Sequence, residues 1–257
     1  MKDRPAKAGL GGARDARLIA RAASSGALAT FRRGARNNGQ PYVSKVGVAT
    51  DVQGQPIFLF STLAAHTQDL LADPRCSLLV EAPATTANPL EAARATLVGV
   101  AQRLDGEEAV AARAVYLARH PGAARYADFA DFAFWRLAVD KVHFVGGFGI
   151  AKWCKGADYR GDCAGLAAAR ARLLDDLNGP KKADLHAALG GQKRGGKASA
   201  QAVDVDGDGA AILARNGRLT RLNFPTPAPN VRAWRARFAA SVERAVERAV
   251  ERAASRP

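Results

Sequence analysis

Short β-strand patterns, separated by turns and brief helices, follow one another from residue 27 to residue 146 and constrain the fold more than any other feature. They cover residues 27–31, 42–50, 57–61, 76–81, 95–103, 132–137 and 142–146, with residues 139–141 connecting the last two. Predicted helices interrupt them at residues 64–72 and 107–119, and each ends before a proline, which disfavours the helical conformation of the preceding residue. Strands in this hairpin-like succession predict a small closed or nearly closed antiparallel barrel, since closure removes exposed strand edges.

The chain changes character after Trp153, where alanine, leucine and arginine become frequent. The patterns predict helices at 163–178 and 181–189, a Gly/Lys linker at 190–199, strands at 201–205, 210–215 and 219–224, and a last helix that Asn230 can cap. We therefore predict an α+β protein. It has a flexible arm at residues 1–12, a barrel domain at 13–155 and a small C-terminal α+β domain at 163–257.

The charge balance of the chain is strongly basic, with 38 Lys and Arg residues against 24 Asp and Glu residues and a net charge of +14. Such a surplus attracts anions, among them nucleic acid, acidic membrane surfaces, phosphates and the carboxylates of a cofactor. The basic residues are nevertheless spread along the chain, no nucleic-acid-binding motif accompanies them, and aromatic residues make up only 7%. Nucleic acid is therefore not an expected partner, and no apolar run is long enough to predict a membrane-spanning helix.

Three cysteines, Cys76, Cys154 and Cys163, occur without a C-x-x-C spacing. An odd number without that spacing argues against a disulfide framework or a structural zinc site, and it fits a reducing compartment. Residues 1–20 lack the continuous apolar core of a secretory signal. We expect a cytoplasmic protein.

The segment Asp204-Val-Asp-Gly-Asp-Gly209 resembles the start of a calcium-binding loop. Such a loop needs a bidentate carboxylate at its last position, which is occupied here by Arg215. Residues 210–214 have a strand pattern instead. The segment therefore predicts a tight hairpin turn rather than a calcium site.

Among the four histidines, His66 is the candidate functional residue. It lies in Ser61-Thr62-Leu-Ala-Ala-His66-Thr67, directly after a predicted strand and at the start of a predicted helix. Hydroxyl groups, free N–H groups and a helix N-terminus together suit an anion such as phosphate. A neutral imidazole in this position could instead ligate a metal such as haem iron. The alternative is capping of the helix by Thr62 or Thr67, with the imidazole facing solvent.

Three segments between residues 27 and 149 are typical of one superfamily: PYVSKVGVATD, GQPIFLFSTLAAHTQDLLADPRCSLLV and DFAFWRLAVDKVHFVGGFG. On these segments the chain resembles the pyridoxamine 5′-phosphate oxidase-like, FMN-binding split-barrel superfamily. The S-x-L-A-x-H-T and DPR-x-S-L-L blocks and the closing V-G-G-F-G are similar to its haem-utilisation (HugZ-like) branch. Residues 165–252, including VDVDGDG and RLNFPTPAP, resemble the small α/β domain joined to the barrel in that branch.

The resemblance implies a homodimer of antiparallel split β-barrels with cofactor sites at the subunit interface. In flavin-binding relatives, an Arg and two Lys grip the FMN phosphate. In this sequence, Lys45 occupies the position of that Arg, and Thr50 and His66 occupy the positions of the two Lys. The groups left to bind phosphate are mostly neutral and bind an anion more weakly than charged ones do. They are Lys45, Ser61, Thr62, His66 and Thr67.

In haem-degrading relatives, the iron ligand is a histidine in a C-terminal extension beyond the barrel. This chain has no histidine after His186. The resemblance therefore leaves His66 as the substitute iron ligand, with Lys45 and Arg136 as partners for the haem propionates.

The resemblance leaves the cofactor undecided between haem and FMN. The first predicted function is haem binding in haem utilisation, with oxygen-dependent haem degradation as the associated activity. The alternatives are an FMN-dependent oxidoreductase of the pyridoxamine 5′-phosphate oxidase-like type and a non-catalytic binding module. An enzyme of either kind would be an oxidoreductase.

Overall fold

The computed structural model describes residues 12–34, 39–83, 87–147, 149–162, 164–188, 201–214 and 216–254. Residues 1–11 of the predicted arm, the predicted linker at 190–199, Cys163 and Arg215 lie outside the described residues. The chain divides into two compact units. The N-terminal unit comprises Met1–Thr50, Gly54–Arg113 and Arg125–Arg160, and the C-terminal unit comprises Asp51–Gln53, Ala114–Ala124 and Gly161–Pro257.

The N-terminal unit is built mainly from strands. These are β1 (Ser25–Phe31), β2 (Pro41–Gly47), β3 (Ala49–Thr50), β4 (Pro56–Ser61), β5 (Arg75–Glu81), β6 (Arg94–Arg103), β7 (Phe132–Val145) and β8 (Ala151–Lys155). Its helices are α1 (Ala13–Ala22), α2 (Ala65–Ala72), the start of α3 (Gly106–Arg119) and α4 (Gly156–Tyr159). A short 3-10 turn lies at Pro89–Glu91.

The strands form one antiparallel sheet in the order β2-β1-β5-β6-β7-β4-β3, with β8 paired to β7. Only Val48 separates β2, which pairs with β1, from β3, which pairs with β4. Residues 41–50 therefore supply the strands at both ends of this order, and the sheet curls round a core that includes Leu28, Phe58, Leu97 and Phe144. The predicted α+β fold with an antiparallel split barrel is confirmed.

The prediction of two strands connected by residues 139–141 is wrong, because β7 is one strand of 14 residues. Its register against β6 shifts between Val98 and Gly99, where β7 carries the extra residue of a bulge. A Cβ at Gly99 would lie 2.0 Å from the Ala138 carbonyl oxygen, so only glycine allows this close approach. The polar Asp140-Lys141 pair thus marks a bulge and not a turn.

Besides the end of α3 and most of a 3-10 turn (Pro121–Arg125), the C-terminal unit contains four helices and a small sheet. Its elements are α5 (Ala164–Ala167), α6 (Arg170–Asn178), α7 (Lys182–Ala188), β9 (Gln201–Asp206), β10 (Gly209–Leu213), β11 (Leu219–Asn223) and α8 (Val231–Ala254). The strands pair antiparallel in the order β11-β10-β9. The predicted cap is confirmed, since the amide of Ala233 donates to Asn230 Oδ1 at 2.9 Å.

The predicted hairpin at residues 204–209 is also confirmed, with Asp206 opposite Gly209 across a two-residue turn. The aspartates in it are buried, which the turn prediction did not anticipate. Arg221 donates to the carboxylate of Asp206 at 2.8 and 3.1 Å, and Arg170 donates to that of Asp204 at 2.8 and 3.0 Å. Asp206 therefore neutralises the buried side chain of Arg221, and Asp204 neutralises the partly exposed Arg170.

Within the described ranges, no helix has both the length and the apolar character needed to cross a membrane.

Candidate functional site

The turn between β4 and α2 brings four of the predicted site residues together. Every residue of β4 before Ser61 is buried, and α2 begins at Ala65 without a side-chain cap. Ser61 and Thr62 therefore follow the strand, while His66 and Thr67 lie in the first turn of the helix. We call residues 61–67 the β4–α2 turn.

Asp131 holds this turn from the chain segment that precedes β7. The hydroxyl of Ser61 donates to Asp131 Oδ2 at 2.6 Å, and the same hydroxyl oxygen accepts from the amide of Leu63 at 3.1 Å. The amide of Thr62 donates to the carbonyl oxygen of Asp131 at 2.7 Å. A serine hydroxyl has one proton to donate. Two donors that the sequence offered to an anion are therefore already bound to Asp131.

His66 is half-buried and packs against an aromatic wall. Its ring meets that of Phe60 edge-on, with centroids 4.6 Å apart, and Phe60 in turn stacks on Phe58. Burial lowers the pKa of His66, although the charge of Asp69 opposes this shift. The imidazole is therefore neutral at physiological pH and keeps the lone pair that a metal ligand needs.

Two buried hydroxyls, one at the end of β3 and one in the first turn of α2, lack a hydrogen-bond partner in the described part of the chain. Thr67 Oγ1 and Thr50 Oγ1 have no hydrogen-bond partner among the described residues, and both side chains are almost fully buried. A buried polar group without a partner costs about 1–3 kcal/mol. The amides of Ala65 and His66, in the first turn of α2, also have no acceptor within the helix. The hydroxyl of Thr67 and these two amides lie together in the β4–α2 turn and fit a site that takes a polar ligand, whereas Thr50 pairs with Pro56 at the other end of β4.

Asp69 anchors α2 to the end of β1 and was not singled out from the sequence. Its carboxylate is fully buried and accepts from Thr30 Oγ1 at 3.1 Å, from the amide of Arg33 at 3.2 Å and from Arg32 Nη1 at 3.5 Å. These partners fix α2 against the end of β1. They lie 36 to 39 residues away in sequence, so no local pattern pointed to them.

The two cations predicted to bind propionates lie on the outer face of the sheet. Lys45 is exposed and adjoins Val46, whose side chain belongs to the core. Arg136 lies between the core residues Trp135 and Leu137 and is paired with Glu108 at 2.9 Å. His66 instead contacts Phe60, which faces the core. No measured contact in the described part of the chain joins either cation to His66, and the roles of all three stay predictions.

A cross-strand row on the outer face was also missed from the sequence. Its members are opposite one another in neighbouring strands: Lys45, Ala27, Leu79, Thr96, His143 and Trp153. At its end, the rings of His143 and Trp153 stack with centroids 4.7 Å apart, and Lys141 Nζ lies 5.5 Å from the Trp153 ring. The sequence patterns did not predict β8, which carries Trp153.

The described residues contain no group of three or more His, Cys, Asp or Glu side chains placed to hold a metal ion. A haem iron, by contrast, is held by its macrocycle and takes an axial ligand from the protein. His66 provides such a ligand in the β4–α2 turn, with a lone pair kept available by burial. The residues of this turn therefore fit haem better than a protein-held metal.

The curled sheet and the β4–α2 turn define a split-barrel protein of the pyridoxamine 5′-phosphate oxidase-like type. A family model described as "CREG, beta-barrel" matches residues 9–160, and the chain belongs to this family. The superfamily predicted from the sequence motifs is thus confirmed.

Similarity to known proteins extends along most of the chain. A protein of unknown function from Agrobacterium tumefaciens is 28% identical, with a TM-score of 0.73 and coverage of 93% of this chain and 98% of that one. A heme-binding protein from Mycobacterium smegmatis is 31% identical, with a TM-score of 0.55 and coverage of 91% and 97%. A chloroplastic heme oxygenase of Arabidopsis thaliana is 38% identical over 135 residues, which are 52% of this chain. This chain spans 40% of the length of that relative.

Proposed function

We propose that this chain binds haem through its N-terminal unit, with His66 as the iron ligand. The observation that carries the proposal is the half-buried, neutral imidazole of His66 beside the aromatic wall of Phe60. The likeness to a heme-binding protein over 97% of that protein's length supports it. The likeness to a heme oxygenase extends the proposal to oxygen-dependent haem degradation.

The aromatic residues beside His66 and the exposed Lys45 on the outer face of the sheet suit this role. Bound haem would supply an iron centre able to react with oxygen. Phe60 and Phe58 keep water from one side of the imidazole, and a dry surrounding favours a neutral ligand. Lys45 is the exposed cation of the two predicted propionate partners, whereas Arg136 is already paired with Glu108. A carboxylate from solvent therefore pairs with Lys45 without displacing another acid.

Titration with hemin tests this proposal. The Soret band of hemin should shift and sharpen with the unmodified chain, and His66→Ala should abolish that change. His143→Ala is the matched control, because His143 is also in the N-terminal unit but lies on the outer face of the sheet. If the Soret band shifts and sharpens with His66→Ala as it does with the unmodified chain, the ligand assignment is refuted. No spectral change with the unmodified chain would refute haem binding.

An FMN-dependent oxidoreductase is the second candidate function. The unpartnered hydroxyl of Thr67 and the free amides at the start of α2 favour an anion such as a flavin phosphate. The bonds from Ser61 and Thr62 to Asp131 oppose it. We therefore place FMN behind haem. A purified chain that carries flavin absorbance at 450 nm or thereabouts, and takes up no hemin, would reverse this order.

We propose further that two copies of the chain associate through the outer face of β1, β2, β5 and β6. Besides charged residues such as Lys45 and Arg75, this face presents small or apolar side chains, with Val43 at 60% and Val100 at 39% exposure. Exposed apolar surface of this kind is typical of an interface between proteins. Light scattering coupled to size exclusion should give the mass of a dimer, and Val43→Glu should give that of a monomer. A monomeric mass for the unmodified chain across a wide range of concentrations would contradict the proposal.

A further inference from the structure

Asp131 is distinctive because its carboxylate faces the β4–α2 turn without a cation beside it. The only partner of that carboxylate within the described ranges is the hydroxyl of Ser61, at 2.6 Å. Its neighbour Asp128 has a different environment, since Arg113 donates to both of its carboxylate oxygens at 2.8 and 3.0 Å. The negative charge of Asp128 is therefore neutralised, whereas that of Asp131 stays directed at the turn.

We propose that Asp131 determines which ligand the β4–α2 turn accepts, by excluding the phosphate of a flavin nucleotide. This inference deepens the proposed function and rests on it only in taking the turn as the ligand site. It assigns to Asp131 a part in specificity that neither the motifs nor the relatives indicate.

The hydrogen bonds give the first reason. A phosphate at the start of α2 needs donors, and the hydroxyl of Ser61 is the donor nearest the end of β4 in sequence. That hydroxyl gives its one proton to Asp131, and its oxygen already accepts from the amide of Leu63. Ser61 can therefore bind an anion only after its bond to Asp131 is broken, and a hydrogen bond to a charged group is a strong one.

The charge of the carboxylate gives the second reason. A phosphate that reaches Ser61 comes within a few ångströms of Asp131, and like charges at such a distance in a half-buried site repel strongly. The repulsion acts on the two negative charges of a phosphate but not on an uncharged ring system. Haem carries its negative charges on propionates, which the proposed function assigns to Lys45, so a haem that met His66 through its iron would not bring the charge of a phosphate to Asp131.

The backbone of the turn does not depend on this carboxylate. The amide of Thr62 donates to the main-chain carbonyl oxygen of Asp131, which any replacement at position 131 retains. Asp131→Asn therefore removes the charge while the segment stays attached to the turn. The amide that replaces the carboxylate can donate to the oxygen of Ser61, and the hydroxyl proton then becomes available to a phosphate.

The test compares the binding of FMN and of riboflavin, which lacks the phosphate, by quenching of flavin fluorescence. Asp131→Asn should bind FMN at least about tenfold more tightly than the unmodified chain, which corresponds to about 1.4 kcal/mol, and riboflavin no more tightly. Asp128→Asn is the matched control. It removes the same charge from the same segment and should leave FMN binding unchanged.

Three results would overturn the inference: equal FMN affinity in Asp131→Asn and the unmodified chain, an equal gain for riboflavin, or an equal gain in Asp128→Asn. Asp131→Ser, which also removes the charge, replaces Asp131→Asn if the circular dichroism of the latter shows that it has not folded. Hemin is titrated separately with every variant. Haem binding can thus fail in the unmodified chain while the gain in FMN affinity succeeds, and the reverse.

Discussion

The buried ion pair between Asp206 and Arg221 allows a stability prediction of large magnitude. The side chains are 0% and 2% exposed, respectively. Besides the two bonds from Arg221, the carboxylate of Asp206 accepts from the amide of Asp208 at 2.8 Å. Asp206→Ala removes these acceptors at once and leaves the guanidinium of Arg221 charged and buried. Breaking such a pair by removing one partner costs about 3–5 kcal/mol.

Urea unfolding of the C-terminal unit measures this loss. Trp234 is a suitable reporter, because its indole N–H donates to the carbonyl oxygen of Asp206 at 3.1 Å and its ring belongs to the core of that unit. We expect the unfolding transition of Asp206→Ala to move to much lower urea concentration. Replacing Trp135 and Trp153 with Phe in all chains compared confines the fluorescence signal to Trp234.

The control for this prediction is an exposed pair in the same unit. Arg235 donates to Asp176 at 2.9 Å, and their side chains are 50% and 36% exposed. Asp176→Ala should therefore cost less than about 1 kcal/mol. The double variant Asp206→Ala/Arg221→Met should regain part of the loss, since no unpaired charge remains in it. A loss below about 1 kcal/mol for Asp206→Ala would refute the reasoning that burial makes this pair indispensable.

Four further predictions concern single groups. Burial lowers the pKa of His66 below its ordinary value of 6.5. Hemin binding should therefore persist as the pH falls to 6.5 and weaken only when the pH passes through the lowered pKa of His66 in the folded chain. Weakening of hemin binding above pH 6.5 would contradict this. The same shift makes folding stability greatest above pH 6.5, with His66→Gln removing that pH dependence in urea titrations. Burial raises the pKa of Cys76 to about 12, so iodoacetamide at pH 8 should label Cys76 only after unfolding, as peptide mass spectrometry would reveal. Asn230→Ala removes the bond to the amide of Ala233 and should cost about 1 kcal/mol in urea unfolding, with no loss expected if the cap is unimportant.

The parts of the fold that the sequence predicted correctly depend on short-range signals. The β4–α2 turn, the hairpin at residues 204–209 and the cap of α8 each involve residues within a few positions of one another. In such cases the local conformational preference and the tertiary structure agree. The residues that the motif placed at 61–67 consequently lie together in the structure.

The sequence could not predict β7 as one strand, because its decisive residue lies elsewhere. Asp140-Lys141 looks like a turn on local grounds, since polar residues there interrupt an apolar pattern. The pairing continues only because Gly99 on β6 lets the Ala138 carbonyl approach and the chain bulge. β8 was missed for a related reason. Its residues are mostly exposed, so they show no apolar pattern, and they form a strand by pairing with β7.

The candidate site also depends on a long-range contact that the sequence does not show, and this contact affects which ligand the site favours. Read along the sequence, Ser61 and Thr62 are two donors before a helix, which favours a phosphate. Asp131, 70 residues after Ser61, accepts from the hydroxyl of Ser61 and from the amide of Thr62 and adds a negative charge. His66 keeps its lone pair, because partial burial against Phe60 keeps the imidazole neutral. One long-range contact thus weakens the case for a flavin nucleotide and leaves the case for an iron ligand intact, which is why haem stands ahead of FMN for this chain.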